Sequence, residues 1–247
     1  MDSVRVLDGD SARAVVVDVG AGNVTVRASD RPGITVTLSP MSPGDEVAAG
    51  LIYRADARWD GGVVRISVPR PTGGGVVTGM TVINGRIVGA QMANGHVFGG
   101  AVSVLVEVPT GTAISVTTES ADVRTLGTVS EAWVWTVSGD VAVDTVSSLV
   151  AQTVSGDVRS SVGPTLVDRA RVKTTSGDVD LRASGPASVS TVSGDVRLHG
   201  TGPSADLTAR TVSGDITISA DPSARIAPIA RTVSGRVRTP AVQGRGW

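Results

Sequence analysis

A chain of 247 residues with only six aromatic side chains, four Trp, one Tyr and one Phe, lacks the aromatic payload of an ordinary globular core of that size. Thirty-one glycines and abundant valine suit a narrow core of stacked β-branched residues instead, and the scarcity of Leu, Lys and Glu predicts almost no helix. A net charge of −1 gives no electrostatic reason to expect nucleic acid or an anionic membrane as partner, and the absence of cysteine excludes disulfide, thiol and zinc-thiolate chemistry.

Met1-Asp2-Ser3-Val4-Arg5 lacks the basic and apolar regions of a signal peptide, and no run approaches 18 apolar residues. The expected location is the cytoplasm, or the cell surface if a leader has been removed. Residues 14–19 and 23–27 read as strands flanking Gly20-Ala21-Gly22, and residues 34–38 as a strand with Ile34, Val36 and Leu38 on one face. Residues 51–59 and 63–68, joined through Asp60-Gly61-Gly62, read as a hairpin. Residues 72–100 hold nine glycines and two tight-turn dipeptides, Asn84-Gly85 and Asn94-Gly95. Two readings stand for them: hairpins packed as additional coils, or an apolar hairpin carrying Val82, Ile83, Ile87, Val88, Met92 and Phe98 that docks on a partner or another copy. Residues 102–108, closed by Pro109-Thr110-Gly111, lead into the second half.

There a tripeptide recurs seven times: Ser120-Ala121-Asp122, Ser138-Gly139-Asp140, Ser155-Gly156-Asp157, Ser176-Gly177-Asp178, Ser193-Gly194-Asp195, Ser213-Gly214-Asp215 and Ser234-Gly235-Arg236. The intervals between serines are 18, 17, 21, 17, 20 and 21 residues, a period with tolerated insertions that predicts an all-β single-chain β-solenoid with coils of about 17–21 residues. Parity puts Val137, Gly139, Val141 and Val143 on one face, inward, and Thr136, Ser138, Asp140 and Ala142 on the other. A glycine on the inward face marks a corner, so Ser-Gly-Asp reads as a bend. A further strand, such as residues 187–189, precedes each Thr-Val out of step with it, which requires a second bend between them. Gly-Pro or Asp-Pro pairs at 163–164, 185–186, 202–203 and 221–222 mark surface turns. Seven coils at about 4.8 Å each make a rod of roughly 30–35 Å. The chain divides into irregular β-rich coils over 1–119, regular repeats over 120–239 and a loose tail over 240–247.

The Thr-Val-Ser-Gly-Asp-Val repeats resemble those of the bacterial "putative adhesin" family of β-strand-repeat proteins. Asp18-Val19-Gly20-Ala21-Gly22-Asn23-Val24 resembles that family's first turn, and Val106-Glu107-Val108-Pro109-Thr110-Gly111-Thr112 the step before its repeats. The resemblance implies a β-solenoid and an adhesive role, and brings no catalytic residues with it.

Asp140, Asp157, Asp178, Asp195 and Asp215 stack outward in one row. Carboxylates about 5 Å apart repel by under ~1 kcal/mol in water. Relief comes from backbone N–H groups at the bend or from a cation such as Ca²⁺ between coils. Arg236 stands where the next Asp would fall and neutralises the end of the row. The Thr-x-Ser rows are similar to ice-binding arrays, but the adjacent Asp row and irregular coil length argue against that use. Carboxylate catalysis is disfavoured because every Asp of the row belongs to the repeat, and His96 and His199 lie far apart. No nucleophile elbow, Walker loop or His-Glu-x-x-His occurs. No catalytic, cofactor-binding or metal residue is assigned, and no cofactor. Trp133 and Trp135 share the parity of Val137, which makes them core or a cap over a coil; the other reading is a sugar-stacking platform. The expected function is a non-enzymatic scaffold that self-associates or binds another protein; alternatively the Thr/Ser/Asp ladder binds a ligand or cation.

Overall fold

The computed structural model describes residues 3–7, 13–70, 77–83, 86–92, 100–160, 166–202 and 205–240. In the second half the parallel pairing repeats the serine spacing. Val123 pairs with Val141, 18 residues on, Val141 with Val158, 17 on, and Val158 with Val179, 21 on. Val196, Ile216 and Val237 follow at 17, 20 and 21. A second set of strands, through Ile114, Ala132, Leu149, Ala170, Ala187, Leu207 and Pro228, has the same six offsets. Each serine interval is therefore one turn of the chain, and two walls of parallel strands rise together.

Burial shows where each turn bends. Ala132, Val134 and Thr136 are buried, Val137 and Ser138 are both exposed, and burial resumes at Gly139, Val141 and Val143. The alternation breaks again at Asp144 and Thr145, and at Ser147 and Ser148, which gives three corners per turn. Glycine faces inward as expected. The valine before it does not: Val137, Val154, Val192, Val212 and Val233 are exposed, while Thr136, Thr153, Thr174, Thr191 and Thr211 are buried. A period of two holds only along an unbroken strand. The corner turns two consecutive residues outward, so everything before it changes phase. For the same reason no separate bend lies between Ala187–Ser190 and Thr191; burial alternates unbroken through the threonine.

The core needs few aromatics because it is narrow. Val141, Val158, Val179, Val196 and Ile216 form one column, each at most 1% exposed. Each such burial is worth about 1.5–3 kcal/mol. In the other wall Leu149 stands between Ala132 and Ala170, and Leu207 beside Ala187, so large residues fill the space that small neighbours leave.

The first half forms the base of the stack. Strand Ala14–Ser29 runs parallel to Ala113–Leu126 from Ala14 to Arg27, and Gly20-Ala21-Gly22 lies under the first corner, Ala21 facing Ser120 and Gly22 facing Ala121. On its other edge lie Val63–Ser67 and Val102–Pro109, both parallel to it. The pairing then turns antiparallel: Asp56–Asp60 on Val63–Ser67, Ile34–Pro40 on Val102–Pro109, and Ser3–Leu7 on Ile34–Pro40. The hairpin ending in Val63–Ser67 is present, with its turn at Gly61 and Gly62, whose φ values of 55° and 89° suit a two-residue hairpin turn. Its expected beginning is a helix instead, Glu46–Tyr53. Asp45 caps it, accepting from the Ala48 N–H at 2.9 Å through one carboxylate oxygen and from the Gly100 N–H at 2.7 Å through the other. Ala48, Leu51 and Ile52 are its buried residues, at helical spacing, and Ala55 just beyond its end is buried too. Strands Val77–Ile83 and Arg86–Met92 form an antiparallel hairpin in a sheet of their own, so they are not paired as additional coils.

Candidate functional site

The Ser-Gly-Asp corner is held by side chains within a turn and between turns. Inside a turn, the buried threonine accepts the glycine N–H three residues on: Gly139 to Thr136 at 3.0 Å, Gly156 to Thr153 at 2.9 Å and Gly177 to Thr174 at 2.9 Å. Between turns, the Ser138 N–H donates to the Glu119 carbonyl, Ser155 to Val137, Ser176 to Val154, Ser193 to Thr175 and Ser213 to Val192, at 2.8–2.9 Å. Glycine is required because a Cβ on Gly156, Gly177 or Gly194 would overlap the carbonyl oxygen of the glycine one turn below. Turn-to-turn contact, and not a left-handed backbone, sets that residue.

The predicted aspartates do form one column, and each is tied to the next. Asp140 N–H donates to Asp122 Oδ1 and Asp157 N–H to Asp140 Oδ1, both at 2.9 Å. Asp178 donates to Asp157, Asp195 to Asp178 and Asp215 to Asp195, all at 2.8 Å. The last acceptor, Asp215, takes the Arg236 N–H at 2.8 Å, so it is the arginine's backbone that closes the ladder. Arg159 pairs with the second carboxylate oxygen of Asp157, and Arg197 lies 3.7 Å from that of Asp195. Among the described residues no three carboxylate or imidazole groups gather as a cation site would need. The thermodynamic role of the column can be separated from its charge. Asp157→Asn keeps an oxygen for the Asp178 N–H and is expected to stay within about 0.5 kcal/mol of the parent. Asp157→Ala removes the acceptor and costs about 1 kcal/mol. Urea unfolding midpoints of the two variants check this; equal losses would mean that charge, not the hydrogen bond, matters.

Of the apolar candidates, Val82, Ile83, Ile87, Val88 and Met92 lie on the separate hairpin, and Phe98 lies outside the described residues, as does His96. His199 is not isolated: its Nδ1 lies 2.9 Å from Ser219 Oγ and its Nε2 2.8 Å from Asp221 Oδ1. Those partners stand about one turn away in sequence, which is why no local motif announced them.

A second surface lies on the other wall, where the tryptophans are not core residues. Trp133 and Trp135 do share the parity of Val137, and all three point outward: the tryptophans are 54% and 48% exposed. They head two rows that cross the wall. Trp133 stands in register with Val150, Arg171, Ser188 and Thr208, and Trp135 with Gln152, Lys173, Ser190 and Arg210. Glu131, Ser148 and Arg169 form a third. A shallow groove of about 600 Å³ runs along these strands, bounded by Trp133, Arg169, Arg171, Lys173, Asp206 and Thr208, and a second of about 440 Å³ adjoins it, reaching Arg210. Among the described residues none of Arg169, Arg171, Lys173 or Arg210 forms an ion pair. Four cations without an ion-pair partner among the described residues and two indoles therefore face outward on one wall.

The model of the Toastrack DUF4097 family matches residues 12–245. Among solved structures, a "putative adhesin" from Bacteroides fragilis is similar at 15% identity and a TM-score of 0.56, with 97% of each chain covered. A "putative lipid binding protein" and another "putative adhesin", both from Parabacteroides distasonis, are similar at 14% identity and a TM-score of 0.50, again over 97% of each chain. At such identities the likeness shows the fold. Among curated proteins no sequence is detectably similar to this chain.

Proposed function

We propose, since the chain belongs to the Toastrack DUF4097 family, that it is a non-enzymatic β-solenoid scaffold whose outer wall binds a partner in the manner of an adhesin. The observation that carries this reading is the groove beneath Trp133, lined by Arg169, Arg171 and Lys173. Parallel strands fix its rows in register, so the backbone positions from which the cations and the indole project are set before a ligand arrives. The adhesin names of structural neighbours support the same role. The test is saturable binding of fluorescently labelled protein to whole bacterial cells, read by flow cytometry. The triple variant Arg169→Glu, Arg171→Glu, Lys173→Glu should fold, because these side chains are exposed, and lose at least about tenfold in affinity. Unchanged binding by that variant, or no saturable binding by the parent, overturns the reading.

A second reading, self-association through the last turn, is favoured by the exposure of Ile229, Val233 and Val237 there. Sedimentation velocity should then show oligomers that Val233→Asp converts to monomer; a parent that remains monomeric at high concentration removes it.

A further inference from the structure

We infer that the groove takes an acidic polysaccharide, lying across the turns with about one sugar to each strand; the inference rests on reading this wall as the binding face. Three observations converge on that chemistry. First, Trp133 and Trp135 are two residues apart on one strand and half exposed, so their indoles offer an apolar platform open to solvent. The C–H face of a pyranose ring is apolar and fits such a platform. Second, the rows leading away from the indoles combine cations with hydroxyl and amide groups: Val150, Arg171, Ser188 and Thr208 follow Trp133, and Gln152, Lys173, Ser190 and Arg210 follow Trp135. A guanidinium presents a fork that matches a carboxylate or sulfate, and hydroxyls and amides match sugar hydroxyls. Third, neighbouring strands are about 4.8 Å apart, close to the length of one pyranose residue, so an extended chain that follows a row meets a new strand at each sugar.

A single-stranded nucleic acid would share the cations and the stacking, but the wall carries its own acids. Asp206 lines the groove and Glu131 heads the row of Arg169. The chain as a whole has a net charge of −1. Those carboxylates, like the serines and Gln152 of the rows, find partners in the hydroxyls of an acidic sugar, which the backbone of a single-stranded DNA does not offer.

Isothermal titration of the whole chain at low salt separates the cases. The probes are an oligogalacturonate for carboxylates, a heparin-derived oligosaccharide for sulfates, dextran as a neutral glycan and oligothymidylate for phosphates. Binding to one or both acidic glycans, with dextran and oligothymidylate at least about tenfold weaker, is expected, and the tighter acidic probe identifies the anionic group. Trp133→Ala should weaken that binding about tenfold or more. Arg171→Glu combined with Lys173→Glu should abolish it, and Arg124→Ala, exposed on the other wall, should leave it unchanged. Tighter binding of oligothymidylate, equal binding of dextran, no binding of either acidic glycan, or indifference to Trp133→Ala each overturns the inference. If the acidic glycans fail while the triple charge reversal still abolishes binding to cells, the glycan assignment falls and the adhesive wall stands.

Discussion

Gly177→Ala is expected to destabilise the chain by about 3 kcal/mol, out of all proportion to one added methyl group. The Cβ would overlap the Gly156 carbonyl oxygen, lie 2.7 Å from that carbonyl's carbon, and press on Thr174 Oγ1 at 3.0 Å. Neither neighbour can give way cheaply. The Gly156 carbonyl is backbone, and Thr174 is buried and holds the Gly177 N–H. Relief would mean prising the two turns apart at the corner. That strains the bonds on either side of the glycine, Ser176 N–H to Val154 and Asp178 N–H to Asp157, both 2.8 Å. Each turn contacts only its neighbours, so a break in the middle of the stack costs cooperativity as well as energy. Thermal and urea unfolding should show a lower midpoint and a broader transition. A loss below about 0.5 kcal/mol would show that the turns can slide apart at this point.

Thr174→Val should cost about 1–3 kcal/mol although it keeps the volume and adds hydrophobicity. The side chain is 6% exposed, and its Oγ1 accepts the buried Gly177 N–H at 2.9 Å. A valine methyl leaves that donor unsatisfied. Thr174→Ser restores the acceptor at the price of one methyl group and should retain more stability than Thr174→Val. Urea midpoints in the order parent, Ser, Val confirm the role; the reverse order of the two variants refutes it.

This buried hydroxyl explains what could and could not be read from the residues alone. The intervals 18, 17, 21, 17, 20 and 21 became register offsets without change, because a repeat that pairs in parallel must shift by its own length. Inward glycine and the single column of aspartates were legible for the same reason. Thr and Val, however, have nearly the same shape, and hydropathy places the valine inside. The need of the glycine N–H for an acceptor reverses that choice, and it arises only once the chain is bent. The same change of phase turns Trp133 and Trp135 outward, against the core reading, and the cations that share their wall join them only through register, by steps of 17 to 21 residues in sequence. The helix Glu46–Tyr53 had its signals, Asp45 as cap and apolar residues at 48, 51, 52 and 55, but the valine-rich surroundings favoured a strand.

The aspartate ladder also has a direction. Each of the six ladder carboxylates, Asp122, Asp140, Asp157, Asp178, Asp195 and Asp215, reaches toward the turn that follows it in sequence. A turn added at the C-terminal side thus finds an acceptor already waiting for its corner N–H, whereas a turn stripped of its predecessor is left with a donor and no acceptor. The polarity of the ladder runs in the same order in which a ribosome delivers the chain.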